Sequence, residues 1–184
     1  AADSRFDLYC IRTGPGFAQV GLGTSSEGYS TKHTSLAYTL ADVIATRTHE
    51  VRGENRTVTN WLGIWQITDT QWAFVAVRDG AIMAWCDVVG TYDEVGHIFD
   101  QQYALGGWHA VFGSEQFSGY YEYVQSSIHE LLSSGRASSK VAKKARLKRF
   151  KFKLNRTAVI AIVLAASLVG GVGYYYRSWK MEQE

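Results

Sequence analysis

The sequence holds a single proline, only two cysteines and, from Arg136 to Arg156, no acidic residue at all. Each scarcity excludes something. Cys10 and Cys86 have neither a CxxC neighbour nor metal-ligand spacing, so they read as buried thiols and not as a disulfide framework or a zinc site. The proline, Pro15, stands in TGPG and reads as a turn between two strands. The five histidines, His33, His49, His97, His109 and His129, form no HxxxH or HExxH pair. Gly21-Leu22-Gly23-Thr24-Ser25 follows a strand but lacks the Lys-Ser/Thr of a P-loop, and lacks the Asp that actin-like ATPases place before the glycine. Ala1–Cys10 has no apolar core or cleavage pattern, so no signal peptide is read there. Asp79 belongs to a turn and Asp93 to a helix start, while Asp87 reads as a loop contact or a solvent-facing residue, so no carboxylate pair is left for acid–base work. No catalytic residue, cofactor or metal ligand is indicated, and no enzyme activity is expected.

What the chain does have is polarity. Residues 1–135 carry 7 Lys or Arg against 15 Asp or Glu, a net charge of −8; the remainder carries 12 against 2, a net charge of +10. An acidic unit of this kind repels phosphate backbones, so no nucleic-acid partner is expected. From Thr157 to Tyr176 run 20 residues without a formal charge. As a helix they span about 30 Å, the thickness of a bilayer core. Tyr174, Tyr175, Tyr176 and Trp179 stand at one end, where amphipathic rings favour headgroups. A buried core helix would leave the flanking charge unexplained. Ten Lys or Arg precede the run between Arg136 and Arg156, and only Arg177 and Lys180 follow it. That bias places the amino-terminal side in the cytoplasm.

The expected organisation is therefore a cytoplasmic α+β domain (1–135), a basic juxtamembrane segment (136–156), a transmembrane helix (157–176) and the start of a periplasmic region (177–184). Lys140, Lys143, Lys144, Arg146, Lys148, Arg149, Lys151, Lys153 and Arg156 are the candidate contacts to an anionic membrane surface. Leu147, Phe150 and Leu154 recur at helical spacing, so part of this run either lies on the interface or serves only to enforce topology. In the apolar run, Ala161, Ala165, Ala166, Ser167, Gly170 and Gly171 provide small residues four apart, a spacing that suits homo-oligomeric helix pairing and is also common in membrane spans.

Within the domain, Asp7–Thr13 and Phe17–Gly23 predict a hairpin, and Thr34 is the expected cap of a helix to about Thr48. HEVRGENRT reads as a charged loop. Trp61–Ile67 and Trp72–Val77 predict paired strands, Asp79-Gly80 a tight turn, and AIMAWCDVV a third strand. Thr91 to Glu94 has the spacing of a capping box before a helix ended by Gly106 and Gly107. Trp108–Gly113 predicts a strand and Tyr120 to about Ser133 a last helix. Together these give a mixed, mostly antiparallel sheet with packed helices.

The stretch NWLGIWQITDTQWAFVAVRDGAIMAWCDVVGTYDEVGHIF (Asn60–Phe99) resembles PilO-type pilin accessory proteins of type IVb pilus systems: a Trp-containing strand, a hairpin ending in AVRDG, then a step into a helix. AQVGLG and SLAYTLADVI resemble the same family's amino-terminal half. The resemblance implies a structural component of a pilus assembly platform in the bacterial inner membrane, single-pass, with a pseudo-actin-like cytoplasmic domain. Its implied partners are an assembly ATPase or a polytopic platform protein. The family continues well beyond its span, so the sequence is expected to be an amino-terminal portion. The rival readings are a membrane-tethered actin-like nucleotide-binding enzyme and a structural subunit of a conjugative or type IV secretion apparatus.

Overall fold

Two strands, β1 (Leu8–Gly14) and β2 (Phe17–Gly23), begin the fold in this computed structural model, which describes residues 6–133 and 135–150. They meet at the expected turn, where Gly16 takes a φ of 81°. Helix α1 (Leu36–Ala45) starts one residue later than expected, because Ser35 Oγ, and not Thr34, accepts from Tyr38 N at 3.3 Å. Its sequence LAYTLADVIA is apolar nearly all round, which fits a helix covered on more than one side. Ala37, Leu40, Ala41 and Ile44 enter one core, while Tyr38 and Val43 enter another.

The segment read as a charged loop is a hairpin instead. β3 (His49–Val51) and β4 (Glu54–Arg56) pair across Arg52-Gly53, both at positive φ (57° and 78°). Two-residue turns of that hand match the twist of the strands they join. Three-residue strands rich in charge carry no alternation from which they could be read.

The central sheet has five strands in the order β7-β6-β5-β8-β9: β5 (Trp61–Gln66), β6 (Trp72–Arg78), β7 (Ala81–Gly90), β8 (Ala110–Gly113) and β9 (Tyr123–Gln125). β5–β6 and β6–β7 are antiparallel, and β5–β8 and β8–β9 are parallel. Helices cover both faces, which is why β5 and β6 are buried along nearly their whole length and do not alternate. On one face Trp61, Trp65, Val75, Val77 and Phe112 pack against α1 and against Leu131 of α3 (Ile128–Ser133). On the other, Leu62, Ile64, Phe74 and Val111 meet Val95 and Phe99 of α2 (Tyr92–Tyr103). The α2 capping box forms as expected: Glu94 Oε2 accepts from Thr91 N at 2.9 Å while Thr91 Oγ1 accepts from Glu94 N.

Residues 120–133 are not one helix. Pairing with β8 (Val111↔Tyr123) draws 123–125 into the sheet, and α3 begins only at Ile128. A parallel partner strand outweighs the local helical pattern here.

The fold also continues past residue 135. Helix α4 (Gly135–Lys144) packs on α1, and β10 (Lys148–Arg149) pairs antiparallel with β1, completing a three-stranded sheet β10-β1-β2. Val141, Ala145 and Leu147 join Leu8, Cys10, Tyr38 and Val43 in a third core cluster. Backbone bonds fix the entry: Ser35 N donates to Ala145 O and Leu147 N to His33 O, each at 3.0 Å. The helical stripe expected of Leu147, Phe150 and Leu154 does not form over its described part, because Leu147 is only 9% exposed inside that cluster while Phe150 is 41% exposed. Leu154 lies outside the described residues. Residues 1–149 form one unit. It holds 14 Lys or Arg and 15 Asp or Glu, so the charge separation read along the chain lies largely within a single folded body.

The class is α+β, as expected. Among the described residues no helix is long and apolar enough to cross a membrane. The run Thr157–Tyr176 lies outside them, together with Lys151, Lys153, Arg156 and the small residues Ala161, Ala165, Ala166, Ser167, Gly170 and Gly171.

Candidate interaction surfaces

Alternation along β1 points Leu8, Cys10 and Arg12 to the same side, so a guanidinium enters the space between two sheets and a helix. There Arg12 Nε donates to Asp42 Oδ1 of α1 at 2.8 Å and Arg12 Nη1 donates to the Gly80 carbonyl at 2.6 Å. The guanidinium also lies over Phe17, 4.9 Å from the ring centre. Beside it the Gln19 amide acts as a strand would: Nε2 donates to Ile82 O at 2.5 Å, and Oε1 accepts from Ile82 N at 2.9 Å. One arginine and one glutamine thus tie β1, β2, α1 and the β6–β7 turn together.

Past Gln19, β2 and β7 part and leave a groove of about 380 Å³, lined by Val20 and Gly21 on one side, Met83, Ala84 and Asp87 on the other, and Cys10 and Tyr38 below. Burial pushes the Cys10 thiol up, and pushes the Asp87 carboxyl up as well. A thiol held protonated is a poor nucleophile. With Arg12 committed to Asp42 and Gly80, the groove offers shape and backbone edges, not a catalytic arrangement.

The Gly21–Ser25 loop ends in a closed form. Asp7 Oδ1 accepts from Ser25 N at 2.7 Å and Oδ2 from Ser25 Oγ at 2.6 Å, and Thr24 Oγ1 accepts from Ser26 N. Those hydrogen bonds hold Asp7 below the usual carboxylate range. A phosphate at this loop would have to displace a carboxylate from the donors it needs. The histidines are apart: His49 packs edge-on to Phe112, with burial lowering its pKa, while His33 bonds Ser30 and His97 bonds Gln101. Among the described residues no group of three or more His, Cys, Asp or Glu stands together as a metal site.

Sequence reading passed over Trp85. Val77 pairs with Ile82 and Val75 with Asp87, so Met83–Cys86 bulge out opposite Ala76 alone. At that bulge Trp85 takes a φ of 63° and is 89% exposed. A bulky residue at positive φ stores strain on the order of 1–3 kcal/mol, and bulges of this kind re-aim a side chain. The signal in the sequence was the length of AIMAWCDVVG, ten residues against a seven-residue neighbour. The other tryptophans of β5 and β6, Trp61, Trp65 and Trp72, are core residues as expected.

The basic candidates within the described residues, Lys140, Lys143, Lys144, Arg146, Lys148 and Arg149, are all exposed. They are carried on elements held by buried Val141, Ala145 and Leu147, so the fold itself presents them.

A family model described as pilin accessory protein (PilO) matches residues 1–184. No curated protein matches the chain. A solved structure with a similar fold is the crystal structure of the cytoplasmic domain of BfpC, at a TM-score of 0.51 and 19% identity, covering 79% of this chain and 75% of that one.

Proposed function

Because the chain belongs to the family of pilin accessory proteins (PilO), we propose that it is a structural component of a type IVb pilus assembly platform in the bacterial inner membrane. Its α+β body docks an assembly ATPase or a polytopic platform protein on the cytoplasmic side. The basic segment to Arg156 and a membrane helix over 157–176 hold it at the bilayer, with 177–184 beginning a periplasmic region. The fold shared with a cytoplasmic domain supports the placement of residues 1–149. Such a protein works by positioning: tethering raises the effective concentration of the partners it holds.

The observation that carries docking is Trp85. Exposed aromatic side chains on a rigid, strained support are the kind of residue around which protein interfaces concentrate their binding energy. A photo-crosslinking amino acid at position 85 in cells is expected to capture the assembly ATPase or the platform protein. Trp85→Ala is expected to lower co-purification of that partner by about tenfold or more, the scale of an interface hot spot. Equal recovery with the natural chain and the Trp85→Ala variant, and no crosslink, would remove the bulge as the docking point.

The rival reading, an actin-like nucleotide-binding enzyme, predicts binding when residues 1–149 are titrated with ATP and Mg²⁺. With Asp7 filling the donors of the Gly21–Ser25 loop, no heat of binding is expected. A saturable signal abolished by changing Ser25 would favour the enzyme.

A further inference from the structure

One face of the β10-β1-β2 sheet is turned away from the core. Ile11 pairs with Val20, and Tyr9 pairs with Leu22 on one side and Lys148 on the other. Directly paired residues share a face, and this face is the one opposite to Leu8, Cys10 and Arg12. Ile11 is 48% exposed, Val20 60% and Leu22 51%, an unusual amount of branched apolar surface for a sheet in water. Neither β1, nor β2, nor the stretch Lys140–Arg149 contains an Asp or Glu. The apolar strip is thus bordered by exposed Lys148, with exposed Arg146 two residues before it, while Arg149 pairs with Leu8 and belongs to the opposite face.

Chain length supplies an independent argument. Seven residues, 150–156, separate Arg149 from the uncharged run that begins at Thr157. Fully extended they reach no further than about 25 Å. If that run enters the bilayer, β10 and the sheet it completes stay within one short tether of the headgroups. Apolar side chains beside unopposed cations are the composition that binds an anionic lipid surface.

We infer that the outer face of the β10-β1-β2 sheet rests on the anionic cytoplasmic leaflet, with Ile11, Val20 and Leu22 among the headgroups and Lys148, with Arg146 beside it, meeting their phosphates. This rests on the anchored reading proposed above, and it adds a fixed orientation: the body lies down on the membrane by one sheet face and does not swing freely from its tether. The Gln19–Arg12 junction then sits behind that sheet, and the Thr68–Gln71 turn lies at the end of β5 and β6 opposite the Gly80 turn that Arg12 binds.

The test uses the full chain, with a fluorophore placed on Val20→Cys or, as a reference, on Thr70→Cys; Cys10 and Cys86 are only 3% and 2% exposed and remain unlabelled in the folded protein. Each is reconstituted into vesicles of mixed phosphatidylglycerol and phosphatidylcholine containing a nitroxide-bearing lipid. The label at 20 is expected to be quenched several-fold more than the label at 70. The excess should shrink in pure phosphatidylcholine and in the Arg146→Glu/Lys148→Glu variant. Equal quenching at 20 and 70 would overturn the inference. So would a label at 20 shielded from both lipid and aqueous quenchers, since a protein or a second copy would then cover the face. Alkaline carbonate extraction of the same vesicles reads the anchor separately. A chain that washes out refutes the membrane helix, while the quenching ratio before extraction still decides the sheet face.

Discussion

Arg12→Ala is expected to lower the unfolding free energy of residues 1–149 by about 3–5 kcal/mol, the usual cost of removing one partner of a buried ion pair. The Arg12 side chain is 7% exposed and that of Asp42 is 26%. Truncation leaves the Asp42 carboxylate without its cation and strips the Gly80 carbonyl of the Arg12 donor. It also removes the group that joins β1 to α1 and to the β6–β7 turn, so the loss should fall on the whole unit and not on one strand. Urea unfolding followed by tryptophan fluorescence checks this. Arg12→Met with Asp42→Leu should recover a substantial part of the loss, because two apolar groups of similar volume leave no charge stranded. A loss below about 1 kcal/mol for Arg12→Ala would mean that the pair behaves as a surface ion pair.

The second large effect is expected at Leu147, in the middle of the most basic stretch of the chain. Leu147→Ala should cost about 2–4 kcal/mol in the same assay, as for a leucine in a packed core. A leucine lying on a membrane-surface helix would cost almost nothing in water when truncated. The prediction follows from its place beside Leu8, Tyr38 and Val43, and from the Leu147 N to His33 O bond that brings the chain in. Ending the chain at 135 removes Val141, Ala145, Leu147 and the β10–β1 pairing together. Such a fragment is expected to aggregate, whereas one ending at 149 stays soluble.

Much of the fold could be read from residues alone where one local signal and one tertiary role agree. The Thr91/Glu94 box, the Asp79-Gly80 turn with both residues at positive φ, and the Pro15-Gly16 turn are of that kind. So are β5 and β6, whose continuous apolar runs match a sheet covered on both faces. Where the two disagree, reading failed. The hairpin across Arg52-Gly53 is polar and too short to alternate, and 120–125 follow a helical pattern that pairing with β8 overrides. Lys140–Arg149 misled for a related reason: counting charges shows six exposed cations and hides the three residues, Val141, Ala145 and Leu147, that turn the segment inward. Arg12 was legible in hindsight, as a charge at an inward position of an otherwise apolar strand. The exposure of Trp85 follows only from the bulge, which depends on the register of β6 and β7.

In the function proposed above, a nearly neutral body, acidic over most of its length and cationic at its end, would be held against lipid by that cationic end and by the uncharged run beyond it, and would so offer a fixed surface to pilus assembly proteins. The most direct measurement is protease accessibility in cells bearing an epitope near the amino terminus. Protease outside intact spheroplasts should leave the epitope-bearing body whole, lysis should expose it, and alkaline carbonate should leave it in the membrane pellet. Digestion of the body before lysis, or its release into the carbonate supernatant, would contradict the account.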